Sequence, residues 1–385
     1  MTSRLDEEAS GTPESTQAST MTAAVLHGRR DLRVEVIPRP EGPAPDEVLI
    51  EVRATGLCGT DTGEWAGGPH QVPLGHAHPL TGHHGPTVLG HEFSGVVVEV
   101  GAAVPPDWKG ELVCCGGAVS CGRCDACRAG RTSQCENYWV VGLHRHGALT
   151  GLVSAPVRSC ARVGDIGLTA EEAALAQPMA IAVHAARRGN PQEGERAVVI
   201  GVGGIGACLV YVLSRWGVAV TAVDRDPARR RIATELGART TVAGDGHLEP
   251  ADLIAAHGDQ PALIYEATGV PDVLESALAA AARGGRIVCV GMQKHPVALD
   301  VHRLTLRELV LVGTNSLVAE TDLPEALRLL ALRAGAWDVL APSVIPLSDV
   351  EQIGLEPMAT GRATATKILV DPWATSARSL YSRPS

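Results

Sequence analysis

From Arg196 onward the chain alternates short apolar runs with helical patterns: AVVI, GIGACLVYVLSRW, VAVTAV and PARRRIATELGA, then strand candidates at ALIYEA, RIVCVG and LVLVGT. Strands separated by helices return in the same direction after each crossover, so the pattern predicts an α/β fold with a parallel, doubly wound sheet. The first strand runs into Gly201, Gly203 and Gly206 of GVGGIG, with Gly204 and Ile205 at the opening of the next helix. There a glycine serves the tight turn, the approach of backbone to a pyrophosphate and the packing of helix on strand. GxGxxG alone is a weak signal. Asp224, closing the next strand 18 residues beyond Gly206, strengthens it, because its carboxylate can accept hydrogen bonds from an adenosine ribose. That carboxylate would repel a ribose phosphate, so NAD is favoured over NADP, although the adjacent Arg225 leaves NADP open. Arg229, Arg230 and Arg231 follow on a helix and read as a solvated face.

Residues 22–180 have a different texture, rich in Gly and Pro with short β-like runs at Val48–Val52, Gly95–Val100 and Leu112–Cys115. This predicts an irregular, mostly β domain, and 385 residues suffice for two cores. Beyond residue 318 a helical stretch, DLPEALRLLALRAG, and a strand-like TKILV lead to a polar tail. Residues 1–20 lack an apolar stretch and read as a disordered tail, not a signal peptide, which places the chain in the cytoplasm. The uncharged run Ala197–Ser214 is interrupted by glycines and reads as a buried turn, so no membrane role is expected. With 33 basic and 43 acidic side chains the formal charge is −10, which gives nucleic-acid binding no electrostatic support.

Four of the ten cysteines fall in CGRCDACRAGRTSQC, at Cys121, Cys124, Cys127 and Cys135. Two, two and seven intervening residues let one loop wrap four thiolates around a tetrahedral zinc with no open position, a structural site. The alternative is a loop of free or disulfide-paired thiols. Cys58 in GLCGTD, with His91 and Glu92 in GHEFSG, offers a thiolate, an imidazole and a carboxylate that can hold a second zinc with a position open for substrate. Cys114, Cys115, Cys160, Cys208 and Cys289 read as structural thiols, and His184 as packing.

Together the four-cysteine loop, GVGGIG and the Cys58, His91, Glu92 set resemble the zinc-dependent medium-chain alcohol dehydrogenases over residues 22–371. The likeness is nearest to the butanediol and sorbitol dehydrogenase branch, through GHAHPLTGHHGPTVLGHEFSGVVVEVG, VHRLTLRELVLVGT and ATATKILVDP. The resemblance implies a GroES-like catalytic domain over residues 21–182, a Rossmann NAD-binding domain over 183–318, and a return to the catalytic domain over 319–385. It also implies a homodimer or homotetramer acting on a small alcohol or ketone. Cys58, His91 and Glu92 match the family's catalytic zinc positions, Asp61 the acid that orients a zinc-bound imidazole, and Thr60 the hydroxyl that takes the substrate proton. Thr268, Gly269 and Val290 to Met292 fall where the family lines its nicotinamide pocket.

Two positions depart from the family. Gln177 stands where the branch usually has a glutamate, so either the ion relies on Cys58, His91, Glu92 and water, or the site is weak or empty. Gly63 replaces a relay histidine, and the loop with His70, His76, His78, His83 and His84 is a candidate source of a substitute. The leading expectation is a zinc-dependent NAD oxidoreductase acting on a vicinal diol, hydroxyketone or cyclic polyol. A redox-neutral enzyme on the same scaffold, or a non-catalytic binding protein, are the alternatives.

Overall fold

Apolar runs that stay buried on both sides have one stable arrangement, a parallel sheet sandwiched between helices, and the second half of the chain adopts it. In the computed structural model, which describes residues 19–244, 248–293 and 295–382, six parallel strands lie in the order Thr240–Ala243, Ala219–Asp224, Arg196–Ile200, Leu263–Glu266, Arg286–Cys289, Val310–Gly313. Ala197, Val199, Val220, Ala222 and Tyr265 face one core, which they share with the helices Ala176–Gly189 and Gly204–Arg215. Val198, Ile200, Val223, Ile264 and Ile287 face another, closed by Leu253, Leu274 and Ala277. The sheet's order reverses between Arg196–Ile200 and Leu263–Glu266, so a crevice opens at their carboxyl ends, where nucleotides bind in such folds.

The first half builds a mixed eight-stranded sheet around Glu47–Gly56, which pairs antiparallel with both Glu92–Val100 and Leu152–Pro156. Leu112–Cys115 and Cys160–Arg162 extend one side. The other side comes from the far end of the chain, where Leu369–Val370 pairs with Thr55 and Gly56 and is followed by Ser343–Ile345 and Arg378–Ser379. The strands expected at Val48–Val52 and Gly95–Val100 therefore run longer, as Glu47–Gly56 and Glu92–Val100, since both are paired nearly end to end. In this register Glu92 and Leu369 flank Gly56, which brings Cys58, His91 and Lys367 to the same end of the sheet.

The tail expected over residues 1–20 lies outside the described residues up to residue 18, and Thr20 opens the strand Thr20–Gly28. Among the described residues no helix is long and apolar enough to cross a membrane.

Part of the histidine-rich loop is packed, not free. His78 stacks on His144 with ring centroids 4.4 Å apart, and His83 meets His146 edge-on at 4.7 Å. The Thr81 hydroxyl donates to the His144 carbonyl at 2.6 Å, while His70, His76 and His84 are exposed. His144 Nδ1 accepts from the Val140 N–H at 2.9 Å and His146 Nδ1 from the Val88 N–H at 3.1 Å, so neither nitrogen can carry a proton without breaking its bond. Burial, reinforced by the facing His78 and His83, lowers both rings to about 4. The unfolded chain would take up these protons near 6.5 and the folded one near 4, so their contribution to stability is present above pH 6.5 and drains away as pH falls through that window. The melting temperature should be level near neutrality and fall progressively below about pH 6.5. Replacing both rings by asparagine, whose Oδ1 can mimic Nδ1, should flatten that acid limb; an unchanged limb in the double variant would contradict this account.

Candidate metal and dinucleotide sites

Cys58 follows the central strand and is the N-cap of the helix Gly59–Ala66. Three residues on, Asp61 turns its fully buried carboxylate back, accepting from the Cys58 N–H at 2.9 Å and the Gly90 N–H at 3.4 Å and lying 3.3 Å from His91 Nδ1. One carboxylate thus completes a capping box and faces the imidazole at ion-pair distance, while His91 Nδ1 makes no hydrogen bond among the described residues. With Nδ1 toward Asp61, Nε2 is the nitrogen left for a metal. Ligand atoms of Cys58, His91 and Glu92 all lie within 4.8 Å of one another. Burial disfavours charge on His91, but the Asp61 carboxylate and the Cys58 sulfur more than offset it and raise the ring well above its ordinary range. The same negative charge suits a divalent cation, and sulfur, imidazole and carboxylate are donors zinc accepts, so the residues fit the ion. Thr60 Oγ1 stands 3.7 Å from Cys58 Sγ.

Lys367 was not foreseen. Its ammonium lies 2.6 and 2.5 Å from the two oxygens of Glu92 and 3.4 Å from the Leu57 carbonyl, and both charged side chains are buried. A lysine inside the apolar run TKILV is itself a signal, since a buried ammonium requires a partner. The aliphatic stem passes the glycine turn, where a Cβ on Gly204 would come 2.8 Å from Lys367 Cε. Gln177 is in the first turn of the helix Ala176–Gly189, buried, and its Oε1 has no hydrogen-bond partner. At Gly63 a Cβ would meet nothing within 4 Å, so space for a side chain exists there unfilled.

At the dinucleotide turn the glycines divide their tasks as their spacing suggests. Gly201 has φ +93°, and a Cβ there would strike Thr268 at 2.7 Å; one on Gly206 would lie 1.8 Å from the Gly201 carbonyl. Gly203, the N-cap of the helix, faces open space, which leaves its backbone accessible to a phosphate. Asp224 ends its strand, buried, accepting from the Val202 N–H at 2.8 Å and the Asp226 N–H at 2.9 Å. It therefore pins the glycine turn, and a carboxylate retains lone pairs for a ribose. The solvated-face reading of Arg229 to Arg231 needs correcting: Arg230 donates to the Asp224 and Arg225 carbonyls at 2.8 and 3.0 Å, and Arg229 lies 3.9 Å from the Asp224 carboxylate. Arg225 and Arg231 are exposed. Thr268 is at the crevice, Val290 is half-buried, and the Met292 side chain is 73% exposed, with its carbonyl 2.4 Å from where a Gly269 Cβ would be.

Cys121, Cys124, Cys127 and Cys135 bring their sulfurs within 4.8 Å of one another, and all four thiols are free, so the disulfide alternative is not realised. Two backbone N–H groups, of Cys121 and Asn137, point at Cys135 Sγ at 3.2 and 3.3 Å. The Arg123 and Cys124 N–H groups draw the Cys121 thiol down to about 6, whereas burial pushes Cys135 up to about 12. His184 buttresses the loop, with Nε2 3.4 Å from Ser133 Oγ and Nδ1 3.0 Å from Asp322.

Residues 44–165 match the alcohol dehydrogenase GroES-like domain and 204–332 the zinc-binding dehydrogenase family. The (R,R)-butanediol dehydrogenase of Bacillus subtilis strain 168 is 30% identical over 355 residues, spanning 91% of this chain and 100% of its own. This chain belongs to the zinc-dependent medium-chain alcohol dehydrogenases. The crystal structure of 2R,3R-butanediol dehydrogenase from Bacillus subtilis superposes with a TM-score of 0.82 at 30% identity, covering 91% of this chain and 99% of that one. A zinc-binding dehydrogenase from Sinorhizobium meliloti 1021, solved bound to NADP, superposes with a TM-score of 0.78 at 29% identity over 92% of this chain and 100% of that one. The expected GroES-like plus Rossmann architecture is thus that of the family.

In the metal-free protein Lys367→Met should leave the Glu92 charge buried and unpaired, at a cost of about 3–5 kcal/mol. Adding Glu92→Gln should recover part of that loss in urea unfolding; a single variant as stable as the parent would show the pair to be dispensable.

Proposed function

We propose that the protein interconverts a secondary alcohol and its ketone with NAD(H), the substrate being a vicinal diol, hydroxyketone or cyclic polyol. The observation that carries this is the Cys58, His91, Glu92 group with Asp61 fixing the imidazole from behind. A zinc ion there would lower the pKa of a bound alcohol, and NAD would accept the hydride. In this reading Thr60 takes the alcohol proton, Asp61 holds His91 in its tautomer, and Lys367 keeps the Glu92 carboxylate in place. Gly201, Gly203, Gly204, Ile205 and Gly206 receive the pyrophosphate, and Asp224 binds the adenosine ribose. Thr268, Val290 and Met292 border the nicotinamide. The carboxylate of Asp224 supports NAD over NADP, while exposed Arg225 and the nearby Arg229 favour the latter.

We further read residues 21–182 and 319–385 as one catalytic domain and 183–318 as the nucleotide domain, in a cytoplasmic homodimer or homotetramer. Sheet membership supports the division, since strands near residues 343–379 complete the sheet begun by the first half. A redox-neutral role or a non-catalytic one gains nothing from relatives named as dehydrogenases.

Metal analysis should give two zinc ions per chain, falling to one in Cys58→Ser with loss of activity. Purified enzyme screened with NAD and NADP against diols, polyols and hydroxyketones should form one NADH per ketone produced. Turnover without nicotinamide reduction, or a silent panel with two zinc ions bound, would overturn the assignment.

A further inference from the structure

Glu266 is the last residue of Leu263–Glu266, paired with Ile200 across the point where the strand order reverses, one residue before Gly201. Its carboxylate is completely buried. Oε1 accepts from the Thr268 N–H at 2.6 Å, the Gly269 N–H at 3.0 Å and the Thr268 hydroxyl; Oε2 accepts from Gln293 Nε2 at 3.0 Å. Four donors converge on it and no acceptor does, which is the environment of an ionised carboxylate. Burial, the largest influence, raises its pKa, and the hydrogen bonds from Thr268, Gly269 and Gln293 offset part of that rise. Ionised, Glu266 is a negative charge at the floor of the nucleotide crevice, and among the described residues no cation pairs with it.

Its location within the crevice follows from the fold. A doubly wound sheet holds one mononucleotide on each half, with the pyrophosphate at the glycine turn between them. Asp224 assigns the adenosine to the half containing Ala219–Asp224, which leaves the nicotinamide to the half beginning with Leu263–Glu266. The loops that Glu266 ties down, Thr268–Gly269 and Gln293, are that half's carboxyl-end loops. They are locked to the glycine turn, since a Cβ on Gly201 would strike Thr268 and one on Gly291 would lie 2.1 Å from the Gly269 nitrogen.

We propose that Glu266 is a positioning residue whose buried charge selects the oxidised cofactor: the cationic ring of NAD+ is held more tightly, relative to the neutral ring of NADH, than the loops alone would hold it. The inference rests on the NAD(H) reading above. In Glu266→Gln the amide oxygen can keep the three donors on one side. Gln293, whose Oε1 is buried and without a partner, can flip to accept from the new amide nitrogen.

Dissociation constants of NAD+ and NADH for the zinc-loaded protein, measured by calorimetry at pH 8 without substrate, test this. In Glu266→Gln the ratio of the NAD+ to the NADH constant should rise by about fivefold or more, as a single charge in a partly screened interior requires. The melting temperature without nucleotide should hold or rise. Glu266→Asp keeps the charge and loses reach, so it should weaken both nucleotides while preserving the parent ratio. Equal weakening of both in Glu266→Gln, or a ratio in Glu266→Asp that rises as far as in the amide, would reduce Glu266 to a loop clamp and overturn the proposal. Binding of neither nucleotide by the unaltered protein would instead overturn the NAD(H) reading on which it rests.

Discussion

The buried pair between Lys367 and Glu92 joins three parts of the molecule that the chain supplies far apart. Glu92 opens a strand of the first half, Lys367 lies 275 residues later on the returning segment, and the lysine stem lies against the first turn of the nucleotide-binding helix at Gly204. Two charges taken out of water at such depth persist only if each satisfies the other, so the returning strand cannot shift register without stranding both. Leu369 beside Gly56, and Gly56 beside Glu92, set that register. The metal-ligand candidates and the glycine turn are thereby held in one rigid relation, as hydride transfer between two bound molecules demands.

The two sulfur-bearing sites differ in how they are held. The four-cysteine loop is local: its ligands come from one stretch of chain, its backbone N–H groups point at its own sulfurs, and Ser133 links it to His184, Asp322 and Asn315. The Cys58 group is assembled from two strands and a helix N-terminus, and its carboxylate is shared with a lysine from elsewhere. Four ligands from one short stretch of chain could gather around an ion without the whole sheet in place. The assembled site forms only when the whole mixed sheet has closed.

This difference also explains what could be read from sequence. GVGGIG, Asp224 and the cysteine spacing were legible because each is a local geometry written in consecutive residues. Asp61 was reached through the family resemblance alone; that it also closes a capping box on Cys58 emerged from the structure. Lys367 and the charge on Glu266 were not legible, because both owe their meaning to neighbours set by sheet register and to burial, and the string YEATG shows neither. Arg229 and Arg230 were misread since helix periodicity gives a side chain's face but not the carbonyls within its reach. The histidine loop was half legible: its composition was plain, but His144 and His146, the rings it stacks on, sit on another segment.

Charge balance gives the departure at Gln177 a physical sense. With a divalent ion bound, the negative charges of Cys58, Asp61 and Glu92 are matched by the ion and Lys367, and the pocket is neutral. An alcohol that loses its proton there leaves one net negative charge, which the low-dielectric surroundings tolerate poorly. A glutamate at position 177 would add a second. The amide avoids that and offers an unpartnered oxygen that can accept a hydrogen bond, so it can orient a hydroxyl without opposing its ionisation. In the proposed reading the amide gives up a proton acceptor and Gly63 another, which would leave Thr60 as the proton acceptor nearest the reacting hydroxyl.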